Sequence, residues 1–136
     1  MEVYIGGYAQ GKRDYVLQKH PEIAAGADGK DAAGAILDGA VCAPDCCPEG
    51  YRIVDHYHLL VRRQMEAGID PREWMERLPT ACPDMILISD EIGNGIVPAE
   101  PFERKWREMT GRLLCTAAQK ADRVERIFCG IGQRIK

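Results

Sequence analysis

Met1-Glu2-Val3-Tyr4-Ile5-Gly6-Gly7-Tyr8-Ala9-Gln10-Gly11-Lys12-Arg13 is the stretch whose reading decides the fold. Val3, Tyr4 and Ile5 form a short β-branched and aromatic run, a strand signal. They feed into Gly6-Gly7-Tyr8-Ala9-Gln10-Gly11-Lys12, the G-x-x-x-x-G-K frame of a phosphate-binding loop. A helix is expected to follow over Asp14–Lys19. Glycines let the backbone turn with positive φ and bring N–H groups to an anion, and the helix start adds its positive dipole end. Lys12 can then reach the outer phosphates as a point charge. After this lysine the motif wants Ser or Thr, whose hydroxyl would ligate magnesium. Arg13 stands there, and a guanidinium cannot ligate a cation. The bare motif also fits a glycine-rich β–α turn with a solvated Lys-Arg pair.

Outward from this stretch, strands and helices alternate. Helix 14–20 stops at His20-Pro21, because the residue before proline avoids the α region. Residues 22–35 read as loop, with weak helix or edge-strand pieces such as Ala35-Ile36-Leu37, and 42–50 as irregular. Tyr51–Asp55 is a second strand. A helix from His56 to Ala67 carries Tyr57, Leu60, Val61 and Met65 on one face. Asp70-Pro71 starts another helix, Asp as cap and Pro at the first helical position, ending near Leu78 before Pro79. Met85–Ser89 is the clearest strand, and Gly93–Pro98 a loop. Pro101 opens the longest helix, to about 120, striped by Phe102, Trp106, Met109, Leu113 and Ala117. Val124–Cys129 is a last strand, followed by a short tail. The pattern predicts one α/β domain over 1–136, a mostly parallel sheet flanked by helices. Ligands then bind at the carboxyl ends of the strands, where the loop, Asp55, Asp90 and Glu91 should converge.

The totals narrow the classes. A chain of 136 residues can bury a real core. A net charge of −3 argues against a nucleic-acid-binding surface. No apolar run reaches the length of a membrane span, and no signal peptide is expected. Six cysteines without a secretory signal imply a reducing compartment, so a cytoplasmic protein with free thiols is expected.

Asp90-Glu91 at a strand end suits the second half of a phosphate-loop site, where an acid holds magnesium directly or through water; both residues also suit turn caps. Asp55 has the same two readings. His56 and His58 lie two apart, so on a helix they do not share a face, and a two-histidine metal site is disfavoured. One of them is expected as a cap or core residue. Cys42, Cys46 and Cys47 have no standard closed zinc spacing and read as free thiols in a loop. Arg104, Lys105, Arg107 and Arg112 read as a solvated face, or as a source of one or two side chains that reach a phosphate.

Gly6–Lys12, Ser89-Asp-Glu-Ile-Gly-Asn-Gly-Ile-Val-Pro98 and Cys129-Gly-Ile-Gly-Gln-Arg-Ile-Lys136 together resemble the bifunctional adenosylcobinamide kinase / adenosylcobinamide-phosphate guanylyltransferase family of cobalamin biosynthesis. Gly111-Arg112-Leu113 fits as well. The resemblance covers about residues 1–16 and 85–136. It implies a phosphate-loop fold and a compact oligomer, typically a trimer. It also implies an enzyme that phosphorylates the aminopropanol side chain of adenosylcobinamide with ATP or GTP, then transfers GMP through a histidine intermediate. By position, Gly6, Gly7, Tyr8, Ala9, Gln10, Gly11, Lys12 and Arg13 match the nucleotide loop. Asp55 matches a strand-terminal acid, and Glu91 the acid of the E-I/V-G motif. Lys12 and Glu91 are then the expected catalytic pair, with Asp90 and Glu91 as magnesium ligands. Two departures stand out. Arg13 replaces the family's Ser. The segment carrying the guanylylated histidine also has no counterpart, since no histidine lies between His20 and His56. A copy that binds nucleotide or corrinoid without turning it over is the alternative.

Overall fold

The computed structural model describes residues 1–25 and 34–136. The part of the 22–35 loop reading that falls on 26–33 lies outside the described residues. The described chain runs β1 (Glu2–Gly6), α1 (Lys12–Lys19), α2 (Pro21–Ala24), β2 (Ile36–Asp38), β3 (Ile53–Asp55), α3 (Tyr57–Glu66), α4 (Pro71–Ala81), β4 (Ile86–Asp90), α5 (Pro101–Lys120), β5 (Arg123–Phe128) and β6 (Ile131–Arg134). The strands form one sheet in the order β2-β3-β4-β1-β5-β6. All pairings are parallel except β5 with β6. This is an α/β fold with a mostly parallel sheet flanked by helices, the architecture of phosphate-loop NTPases.

Alternation along the strands builds two cores, because successive side chains point to opposite faces. Val3, Val54, Leu87 and Val124 face one way, onto Tyr57, Leu60 and Val61 of α3, Trp74, Met75 and Leu78 of α4, and Leu113 and Ala117 of α5. Tyr4, Ile53, Ile86, Ile88 and Ile127 face the other way, onto Val16 of α1 and Ile23 of α2. Both faces are covered, so the strands read as near-continuous apolar runs.

Helix starts follow the sequence chemistry. Asp70 caps α4 by accepting from the Arg72 amide at 3.0 Å, and Pro71 and Pro101 occupy first helical positions. Four expectations change. α4 runs through Pro79 to Ala81, since a proline in the last turn forfeits one backbone hydrogen bond while the buried Trp74, Met75 and Leu78 hold the face down. Residues 21–24 form the short helix α2, regular structure at the start of a stretch expected as loop with weak helix or edge-strand pieces. The tail after Cys129 is strand β6, folded back by a two-residue turn in which Cys129 and Gly130 both have positive φ, 50° and 75°. Arg104 and Arg107 are not merely a solvated face. Arg107 donates to the carbonyl of Ile96 at 3.0 Å and to that of Gly93, and Arg104 to that of Pro98 at 2.9 Å. Two arginines of α5 thus clamp the Gly93–Pro98 loop.

Candidate functional site

The parallel register sets the floor of the site. Gly6 ends β1 opposite Asp90 at the end of β4. On its other side Gly6 lies so close to β5 that a Cβ there would sit 2.3 Å from the Ile127 carbonyl oxygen, which only glycine avoids. The chain then turns through Ala9, at φ 55°, and Gly11, at φ 78°, into α1. Gly11 is the helix N-cap and Lys12 its first residue. The first amides of a helix have no partner within it, so they are available to an anion. The loop is braced from the β5–β6 hairpin. The Cys129 amide donates to Gln10 Oε1 at 2.8 Å, and the Gly130 amide to the Gln10 carbonyl at 2.9 Å.

Lys12 folds back under this loop and is buried. Its Nζ donates to the Gly7 carbonyl at 2.7 Å and lies 2.5 Å from Asp90 Oδ1. The Asp90 amide donates to His58 Nδ1 at 3.2 Å, and Asp90 Oδ2 lies 3.6 Å from His58 Nε2. Burial drives the pKa of His58 down to about 4; Asp90 opposes this, and the charges of His56 and Lys12 add to it. His58 is therefore a neutral, buried residue at ordinary pH, packed beside Asp90 and seated against Trp106, whose indole N–H donates to the His58 carbonyl at 2.7 Å.

Arg13 lies on the open side, with Nη1 3.8 Å from Asp55 Oδ2. Asp55 Oδ1 accepts from the His56 amide at 2.8 Å. Tyr8, Ala9, Gln10, Gly11, Lys12, Arg13, Asp55, His56 and Asp90 line one cavity of about 370 Å³. Of the expected site residues, the structure gathers the loop, Lys12, Arg13, Asp55 and Asp90.

It does not gather Glu91. That carboxylate pairs with Arg126 at 3.0 Å and takes a hydrogen bond from Asn94, lining a different hollow with Thr110 and Gly111. Consecutive residues at a strand end point to opposite faces, so Asp90 and Glu91 cannot both turn into the cavity. The expected magnesium pair is split in this way. Asp90, moreover, already faces an ammonium, and Asp55 a guanidinium. Among the described residues no group of three or more His, Cys, Asp or Glu could hold a metal ion. The side chains here do not fit a protein-held magnesium ion.

Sequence reasoning missed Asp38. It ends β2 in register with Asp55, and its Oδ1 lies 2.8 Å from His56 Nδ1. Only the β2–β3 pairing brings these residues together, and no local signal marks it. The cysteine cluster does not close: Cys42 and Cys46 have Sγ atoms 3.5 Å apart, while Cys47 turns to Glu49.

With this geometry in view, the chain compares as follows with known proteins. The family model for cobinamide kinase / cobinamide phosphate guanyltransferase matches residues 50–135. The match runs from just before β3 through β6 and does not include the glycine-rich loop. The chain is similar to the bifunctional adenosylcobalamin biosynthesis protein CobU of Salmonella typhimurium, 35% identical over 83 residues, which is 49% of this chain and 46% of that protein. It is similar to the protein of the same name from Escherichia coli, 34% identical over 83 residues with the same shares. The aligned region thus spans about half the length of the curated relatives.

Proposed function

The chain belongs to the cobinamide kinase / cobinamide phosphate guanyltransferase family, and from that premise we propose that it serves cobalamin biosynthesis by transferring phosphate from ATP or GTP to a hydroxyl of adenosylcobinamide. The observation that carries this reading is the placement of Lys12. It opens a helix after a positive-φ glycine turn, at the carboxyl edge of the sheet, on the floor of a cavity that also holds Arg13, Asp55 and Asp90.

The roles follow from position. Loop amides and the α1 N-terminus cradle the phosphates. Lys12 exchanges the Gly7 carbonyl for a phosphate oxygen and neutralises charge on the transferring group. Asp90 and the Gly7 carbonyl hold the ammonium in place beforehand, which limits reorganisation on binding. Arg13 supplies a second cation at the mouth, where it pairs with phosphate as readily as with Asp55. Glu91 is left outside the reaction and holds the 91–94 turn through Arg126 and Asn94. Only the kinase half is proposed, because no histidine lies between His20 and His56 to carry GMP. We place this work in the cytoplasm, a reducing compartment suited to a chain with six cysteines.

Radiolabelled ATP or GTP with adenosylcobinamide tests the reading. Labelled corrinoid is expected, and none at high enzyme concentration would defeat it. The Arg13–Asp55 pair, standing where the motif wants a hydroxyl, favours a second reading: a protein that binds nucleotide without turnover. Calorimetric binding together with zero transfer would select that one.

A further inference from the structure

Resting on the phosphoryl-transfer reading, we propose that His56, oriented by Asp38, is the base that takes the proton from the attacking hydroxyl. His56 lines the same cavity as Lys12 and Arg13, and its side chain is 41% exposed. Its Nδ1 lies 2.8 Å from Asp38 Oδ1 and 3.7 Å from Asp55 Oδ2. Carboxylates facing Nδ1 keep the proton on that nitrogen and leave Nε2 with the free lone pair. A base held by an acid in this way is the arrangement that proton abstraction requires.

Three further features hold the ring there. His56 has a left-handed backbone, φ 50° and ψ 41°, a strained conformation for a non-glycine residue. Its side chain makes no capping bond to α3, while its carbonyl accepts the Leu59 and Leu60 amides at 2.8 and 3.2 Å, so the backbone starts the helix and leaves the ring free to face Asp38. The turn after Asp38 is shaped around it. A Cβ on Gly39 would sit 2.5 Å from the His56 carbonyl oxygen, and the Ala40 amide donates to Asp38 Oδ1 at 2.9 Å. Burial alone would raise the pKa of Asp38, but the Ala40 amide and His56 outweigh it and hold the carboxyl below its usual range. Asp38 thus stays ionised to balance an imidazolium. His58, its ring centroid 6.1 Å away, is held neutral and adds no competing charge. Arg13 stands against Asp55 on the far side, and Lys12 with Asp90 completes the cavity wall.

The step balances. The acceptor hydroxyl oxygen forms a bond to the terminal phosphorus of the nucleotide. The bond from that phosphorus to the bridging oxygen breaks, and its electron pair leaves with the nucleoside diphosphate. The hydroxyl proton passes to Nε2 of His56, and the imidazolium beside Asp38 later returns it to water.

Transfer from ATP or GTP to adenosylcobinamide is measured for the wild type, His56→Gly, His56→Gln and Asp38→Asn, with nucleotide affinity followed by calorimetry. Glycine tolerates the left-handed backbone, so His56→Gly keeps the fold. A fall in kcat of about 100-fold is expected for His56→Gly and His56→Gln, with nucleotide affinity unchanged. Added imidazole should restore part of the His56→Gly rate. Asp38→Asn should lose about 10-fold in kcat with the KM for nucleotide unchanged, as expected of a residue that positions the base. Wild-type kcat in His56→Gly or His56→Gln overturns the assignment while phosphoryl transfer stands. A wild type that transfers no phosphate overturns both.

Discussion

Two buried carboxylates, each paired with a lysine of α1, behave as opposites. Asp90 closes β4 and meets Lys12 at the start of the helix; Glu125 sits within β5 and meets Lys19 at its end. Asp90 faces one cation, a neutral histidine and an open cavity. Glu125 is 1% exposed and takes hydrogen bonds from Tyr15 at 2.7 Å, from Lys19 and from Arg123. Gly132 of β6 lies directly over it, so close that a Cβ would be 2.2 Å from the Tyr15 hydroxyl. Glu125 is saturated and sealed, while Asp90 keeps a partner that an incoming anion can draw on. The difference separates a structural ion cluster from one poised to bind.

The largest effects should divide along that line. Glu125→Ala leaves Lys19 and Arg123 beside an empty cavity and should lower unfolding free energy by about 3–5 kcal/mol, read by urea denaturation, with kcat per folded molecule unchanged. Lys12→Ala should reduce phosphoryl transfer by about 1,000-fold while costing much less stability, since cavity water can solvate Asp90. Equal destabilisation by both would erase the contrast. Gly132→Ala comes next, at about 1–3 kcal/mol from overpacking. Tyr15→Phe in the same chain should return little of it, because the ring carbon Cζ would still lie 2.3 Å from the new Cβ.

Acid should separate the two regions by pH. The folded pKa of His58 is depressed, to about 4 from an ordinary 6.5. Between those values the unfolded chain binds a proton that the folded one refuses, so stability falls as pH drops from 6.5 to 4. Burial pushes Glu125 up, but its hydrogen bonds from Lys19, Tyr15 and Arg123 outweigh burial and hold it at about 2 against an ordinary 4.5. That contribution is present above 4.5 and lost as pH falls through 2. Thermal midpoints against pH should show both windows, with His58→Asn flattening the upper and Glu125→Gln the lower. The smallest effect is on a single titration: Lys12→Met should move the His58 pKa upward in NMR, since a nearby positive charge is removed.

Much of this was legible in the sequence, where local chemistry dictates structure. Gly6–Lys12 after a β-branched run, Asp70-Pro71, and the Pro101 helix with its Trp106–Leu113–Ala117 stripe all take their expected forms. Glu91 was misplaced although the two-residue period of a strand already separates it from Asp90. The β5–β6 hairpin was hidden because its turn is Cys129-Gly130, without the Asn or Asp that advertises positive φ. Asp38 and His56 meet only through pairing of β2 with β3, and a chain read locally cannot reveal a register.

The brace on Gln10 bears on how the protein is made. Its donors, Cys129 and Gly130, lie 119 and 120 residues further along. A ribosome adds about 5–20 residues each second, so the glycine turn waits several seconds, on that scale, before its supports emerge. β1 waits as long for β5. A nascent chain therefore holds an unfinished loop while the residues between Gln10 and Cys129 are made, and nucleotide should protect that loop from proteolysis only once the hairpin is available to brace it.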